Sequence, residues 1–199
     1  MKKNIIKTAL VLLAGLSFAS CDLTEPMQVQ ADKAMIFGTE SGLKTYSWSF
    51  YKMLPNIEDS FLQENGKVDY FVVRKMNNFF IDGAYTAETS TSWSWGNLRN
   101  VNYFLDGLKS KECTVDAKTV AHYEGLARWF RALFYFDKLT TYGEVPWFDK
   151  ELQNYEFDLM YKDRDSRDVI VKNIIADLDF AYENIQTTSS TGSSLVSKW

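Results

Sequence analysis

Apolar residues recur at helical spacing in several separate stretches of the chain, and an alternating, strand-like pattern persists nowhere. The strongest stretch runs from Glu124 to Phe148. Leu126, Trp129, Phe130, Leu133 and Phe134 follow the 0, 3, 4, 7, 8 spacing of one helical face. Glu124, Arg128, Arg131 and Lys138 fall on the other side, with Glu124 and Arg128 in the favourable acid-first order for a surface pair. Gly143 can take the left-handed conformation that ends a helix, and Pro146 prevents its resumption. Asp116 can cap the start through its carboxylate, which predicts a helix from Asp116 to about Tyr142. Because the helix is so aromatic, Trp129, Phe130, Phe134 and Phe136 are expected in the core.

The same reasoning predicts a helix over Gly42–Leu54 that Pro55 ends, a short one around Tyr70–Met76, and another over Trp95–Leu108. In the last of these Leu98, Val101, Asn102 and Leu105 share a face. Residues 82–92, with Gly83 and a cluster of Ser and Thr, read as a loop, and Tyr142–Lys162 as an aromatic-rich connection. Asp165 or Ser166 can cap a final helix over about 167–185, whose inward face is Val169, Ile170, Ile174, Leu178 and Ala181. The expected class is all-α.

Four segments in order resemble the SusD/RagB family of outer-membrane nutrient-binding lipoproteins. Glu124 precedes Arg131-Ala132, then Tyr135-Phe136, Leu139, Tyr142-Gly143, Val145 and Pro146, in register with the family's signature. Trp95 to Leu105 looks like its W…IRxxNxFL helix, and Arg167-Asp-Val through Ile174, Asp177, Leu178 and Ala181 like the helix that follows. Cys21-Asp-Leu through Pro26 looks like its mature N-terminus. The resemblance implies helical hairpins of tetratricopeptide-like type with long irregular loops, the helices flanking Tyr142–Lys162 packing antiparallel. No repeat of about 34 residues is visible to support that independently. It also implies capture of a nutrient, a glycan oligosaccharide or polysaccharide, and its delivery to a SusC-like TonB-dependent transporter, with no bond broken and no cofactor. Peptide ligands also occur in the family. Family members are usually more than twice as long, so the resemblance implies that these 199 residues are an N-terminal portion.

Composition narrows the alternatives. Hydrophobic content of 46% and aromatic content of 16% exclude a disordered chain. The formal net charge is −4, and without Lys2, Lys3 and Lys7 of residues 1–20 it becomes −7. An acidic chain with no Lys/Arg stripe is a poor nucleic-acid binder. Residues 1–20 read as a signal peptide, with Lys2 and Lys3 before an apolar stretch, Ile5–Phe18, too short for a comfortable membrane span. Phe18-Ala-Ser-Cys21 resembles a lipobox, with Phe18 where Leu is usual; the competing reading is an ordinary secretory cleavage near Ala19 or Ser20. Lipidated Cys21 would anchor the chain at the outer membrane, facing the cell surface, since more than one acyl chain gives stable binding. Residues 21–34 then form a tether and 35–199 the helical domain. Asp22 and Glu25 look like the acidic residues that accompany surface export. Cys113 is left without a disulfide partner, and His122, the single histidine, has no second histidine with which to build a zinc site.

Sugar recognition needs flat apolar faces for pyranose C–H surfaces and a few polar groups for hydroxyls. Trp93 and Trp95, at the end of the Ser/Thr-rich loop, are the candidate platforms, although Trp95 could instead pack to anchor its helix. Asn97 and Arg74 are candidate polar contacts, and Asn102 is expected to bond backbone near a helix crossing. Trp147 and Phe148 could face either the core or a partner. Asp163–Asp168 superficially resembles a calcium loop but lacks the Gly at its sixth position and the distal Glu, so a solvated helix cap is expected. No nucleophile elbow, motif-placed Cys–His pair or Gly-rich phosphate loop supports catalysis, and Asp177 with Asp179 does not make a glycosidase without a cleft. The competing functional classes are a scaffolding envelope lipoprotein and, more weakly, a surface glycosidase.

Overall fold

A computed structural model of the protein describes residues 33–55, 81–84, 86, 92–187 and 196. In chain order the helices are α1 (Lys33–Phe37), α2 (Glu40–Ser47) running into a 3-10 segment (Trp48–Met53), α3 (Gly96–Leu108), α4 (Ala117–Tyr142), α5 (Phe157–Met160) and α6 (Arg167–Asn184). Among the described residues the protein is all-α, and extended pairing is limited to one isolated bridge between Val145 and Asp165. No described helix is long and apolar enough to cross a membrane. Cys21, the tether up to Asp32, the helix expected at Tyr70–Met76 and Arg74 lie outside the described residues.

α4 is the central element. Its start is capped as expected: the Asp116 carboxylate accepts from the N–H groups of Lys118 and Thr119, each at 3.1 Å. Its end is Gly143, where φ is 77° as a glycine stop requires. The ψ of −108° lies outside the left-handed helical well, so the chain leaves in a direction only glycine permits without strain. α6 returns antiparallel along α4. Gly143 lies beside Arg167, Arg131 beside Asp177, Gly125 beside Ala181, and His122 beside Gln186. α3 also runs antiparallel to α4, with Trp95 against Phe134 and Asn102 against Arg131.

Two apolar clusters fill the interfaces. One gathers Phe37, Leu43, Phe50, Val101, Phe104 and Phe130 where α1 meets α2 and α3 and where α2 and α3 meet α4. The other gathers Leu98, Ala132, Phe134, Tyr135, Val145 and Ile170, joining α3, α4 and α6. Each fully buried Phe contributes about 1.5–3 kcal/mol of transfer free energy. Cys113 is a free, half-buried thiol against the first cluster.

Several expectations need correction. The tether expected over 21–34 overlaps α1, which begins at Lys33, and the helix expected over Gly42–Leu54 starts earlier, at Glu40 of α2, because Thr39 caps it by accepting the Gly42 N–H at 3.1 Å. It tightens to 3-10 geometry from Trp48, and Leu54 is extended at ψ 141° because a residue before proline disfavours the helical region. On α4, Leu126, Phe130 and Phe134 of the expected stripe are buried, but Trp129 and Leu133 are only half-buried, and the buried face extends to Arg131 and Lys138, which were placed on the other side. Phe136 is correspondingly 57% exposed, not core. On α6, Val169 and Leu178 are exposed, while the inward face is Ile170, Ile174, Asp177 and Ala181. Ser166 occupies the N-cap position of α6 but gives no side-chain cap, and Asp165 turns instead to the Trp147 N–H at 2.7 Å.

Candidate functional site

A buried polar network underlies the region where α3, α4 and the 143–166 connection meet. The Arg131 guanidinium engages the Asp177 carboxylate through two bonds of 2.7 Å, from Nε and Nη2. Its Nη1 reaches the Asp149 carbonyl at 3.3 Å and the Asn102 side-chain oxygen at 3.5 Å. The Asn102 amide donates to the carbonyls of Phe148 and Lys150, each at 3.0 Å, the backbone-bonding role its helix position implied. The Tyr135 hydroxyl accepts the Phe148 N–H at 2.6 Å and donates to the Pro146 carbonyl at 3.3 Å. Burial pushes the Tyr135 phenol far above its ordinary value, so it stays protonated and keeps both bonds. Trp147 stacks on Tyr135 at 4.1 Å between ring centroids. Residues 146–150 are thereby pinned through side chains of α3 and α4.

That pinned segment forms one wall of a cleft of about 590 Å³, within the range of small-ligand sites. The opposite wall comes from the entry to α3. Trp93 and Trp95 both line the cleft, with ring centroids 5.3 Å apart and nearly perpendicular. Trp93 is 40% exposed and also meets Tyr142 edge-on at 4.8 Å. Trp95 is half-buried against Phe134 and Phe148, so it anchors the helix start and walls the cleft at once. Gly96 opens the first turn of α3 onto the cleft with no atom within 4 Å of where a side chain would begin. Leu152, Met160 and Tyr161 extend the apolar lining.

The charged residues of the lining are all cations, beside the amides Asn102 and Asn154. Arg99, Lys150, Lys162 and Arg164 all line the cleft. Three have acidic partners: Arg99 with Glu151 at 3.3 Å, Lys150 with Glu156 at 2.7 Å and Lys162 with Asp165 at 2.7 Å. Burial raises the Asp165 carboxyl, but the Lys162 ammonium and the Trp147 N–H outweigh it and hold the group below the usual carboxylate range. The Lys162 ammonium lies 5.5 Å from the Phe148 ring centre, and the Arg164 guanidinium 5.2 Å from that of Trp93.

Of the residues singled out from sequence, Trp93 and Trp95 are brought together in the cleft. Asn97 is exposed on α3 and does not line it. Arg74 lies outside the described residues. Arg99, Lys150, Lys162 and Arg164 were missed, and Phe148, left open between core and partner, lies in the cleft wall; the basic residues between Lys150 and Arg164 are visible in the sequence, but the direction they face is not. The Asp163–Asp168 run holds no ion-binding geometry: Asp165 is committed to Lys162 and Trp147, and no described residues group as metal ligands. A second, smaller hollow of about 160 Å³ lies between α4 and α6, lined by Trp129, Leu133, Phe136 and Leu178. Comparison of the chain with protein-family models, with curated proteins and with solved structures finds no match in any of the three.

Proposed function

We propose that this protein is a cell-surface glycan-binding lipoprotein of the SusD/RagB type. It captures an oligosaccharide or polysaccharide and passes it to a TonB-dependent outer-membrane transporter without breaking a bond. The observation that carries the reading is the cleft walled by Trp93 and Trp95, which offers flat apolar rings beside hydrogen-bond donors. Two further features support it. Asn102, Arg131 and Asp177 belong to three separate segments that carry the family resemblance, and they meet in one buried network. The antiparallel packing of α4 and α6 across a long connection supports the helical-hairpin arrangement that the resemblance implies. In this reading Cys21 carries the lipid anchor, and the connection between α4 and α6 shapes the ligand site.

The reading is tested by affinity electrophoresis of the full chain through gels containing defined polysaccharides. At least one polysaccharide should retard it without release of reducing ends, and Trp93→Ala should weaken that binding by about 1–3 kcal/mol, taking base–aromatic stacking as the scale. Retardation by none, or an unaltered affinity in Trp93→Ala, rejects the cleft as a glycan site. For the anchor, Cys21→Ala should move the protein from the membrane to the soluble fraction. Co-purification of a large barrel protein with the wild type tests the partner.

A further inference from the structure

The cleft is cationic in a chain whose formal net charge is −4. No aspartate or glutamate is among the described residues that line it, while Arg99, Lys150, Lys162 and Arg164 all do. Clustering like charges around an apolar, partly enclosed surface raises the local potential and concentrates anions there. The acidic partners of three of these cations, Glu151, Glu156 and Asp165, lie outside the lining. Arg164 has no carboxylate at ion-pair distance among the described residues, and its guanidinium is held over Trp93 at 5.2 Å. A guanidinium placed near an aromatic ring with no carboxylate at ion-pair distance has N–H donors to offer a planar or tetrahedral oxyanion. The first turn of α3 adds potential of the same sign, since Trp95 at its N-cap supplies no side-chain acceptor and Gly96 opens onto the cleft.

We propose that the ligand of this cleft is an acidic glycan, whose pyranose rings lie against Trp93 and Trp95 and whose carboxylate or sulfate groups are taken by Arg164, Lys162, Lys150 and Arg99. The inference rests on the glycan reading above and specifies its substrate class. A neutral sugar would satisfy the aromatic walls and leave Arg164, the lining cation with no carboxylate at ion-pair distance among the described residues, without a counter-charge. An acidic peptide would satisfy the cations and leave the paired tryptophans without pyranose faces.

Affinity electrophoresis of the full chain separates these cases, with polygalacturonate as the carboxylate probe, dextran sulfate as the sulfate probe, dextran and xylan as neutral probes, and poly-L-glutamate as the non-sugar polyanion. The expected result is stronger retention by polygalacturonate or dextran sulfate than by either neutral polymer, falling as salt rises. Whichever acidic probe binds more tightly identifies the group. Arg164→Gln should lower the preference for acidic over neutral polymer about tenfold, the scale of one charge-assisted hydrogen bond, with Arg164→Lys recovering part of it. Equal or stronger retention by dextran or xylan overturns the acidic assignment and leaves the glycan reading standing. Retention by no polysaccharide overturns the glycan reading and the inference together. Poly-L-glutamate bound as tightly as polygalacturonate overturns the inference, because the cleft would then be reading charge without sugar.

Discussion

Helical periodicity assigns Arg131 to solvent, yet its side chain is 8% exposed and that of its partner Asp177 is 3% exposed. Burying two charges is costly, and the pair persists because geometry supplies two short bonds together with the Asp149 carbonyl. Removing one partner strands the other, so Arg131→Met or Asp177→Leu alone should each destabilise the fold by about 3–5 kcal/mol in urea denaturation. The double variant should recover most of that loss; a double variant as unstable as the sum would mean that the pair is not the source. A second prediction concerns His122, whose Nδ1 accepts the Gln186 N–H at 3.1 Å. Burial lowers this histidine below its ordinary value, with Glu40 acting in the opposite direction. The folded state therefore favours the neutral ring. Its contribution is fully present above the unfolded value of about 6.5 and is lost as pH falls through the lower folded value. Stability measured between pH 5 and 7.5 should decline on the acid side, and His122→Asn, which keeps an acceptor without titrating, should flatten the profile. These residue-level roles were illegible in the sequence for one reason. Periodicity reports which positions are apolar, and Arg131, Lys138 and Asp177 are buried because partners far along the chain satisfy them.

Among the elements, α3, α4 and α6 were legible to within about two residues, because each carries a sustained apolar period and two of them have punctuated ends. What periodicity could not give was how far burial extends around α4. The helix meets α2, α3 and α6 around its circumference, so burial no longer follows a single stripe. Trp129 and Leu133 consequently border the shallow hollow beside α6, and Phe136 with Leu178 lies open to solvent there. The contact of α1 with α3 is set by Gly107 in the last turns of α3, where an added Cβ would fall 1.9 Å from the Phe37 ring. Phe37 is fully buried and is the residue through which the five-residue α1 joins the core. Gly107→Ala should therefore expel Phe37 or shift α1, lowering stability by about 1–3 kcal/mol, as overpacking does. Limited proteolysis should then cut near residues 33–39 faster than in the wild type. Unchanged stability and cleavage would mean that α1 can slide without loss.

At the scale of the whole molecule the cleft is assembled from residues 93–102 and 146–164, two segments whose sequences separately suggest only a loop exit and an aromatic connection. Trp93 and Trp95 could be picked out because tryptophans after a Ser/Thr-rich loop are conspicuous, whereas the basic wall could not, because nothing local says which way Lys150, Lys162 and Arg164 face. That direction is fixed by long-range bonds: Asn102 and Tyr135 hold the backbone of 146–150, and Asp165 holds Trp147. Fold stability and cleft geometry should then fail together when those anchors are cut. Tyr135→Phe tests this with little loss of packing, since the ring can remain stacked on Trp147 while the hydroxyl is gone. The Phe148 N–H would lose its acceptor, which should destabilise the fold by about 1–3 kcal/mol. Tyr135 is itself buried and does not line the cleft, so any accompanying loss of glycan retention must come through the displaced wall. Added polysaccharide at about 100 times its Kd should raise wild-type stability by about 2.7 kcal/mol, and the gain at that same concentration should be smaller in Tyr135→Phe. Parallel denaturation curves with and without polysaccharide measure both quantities. If Tyr135→Phe loses stability yet keeps the full ligand-dependent gain, the hydroxyl supports the fold alone, and the cleft wall is held by Asn102 and Asp165.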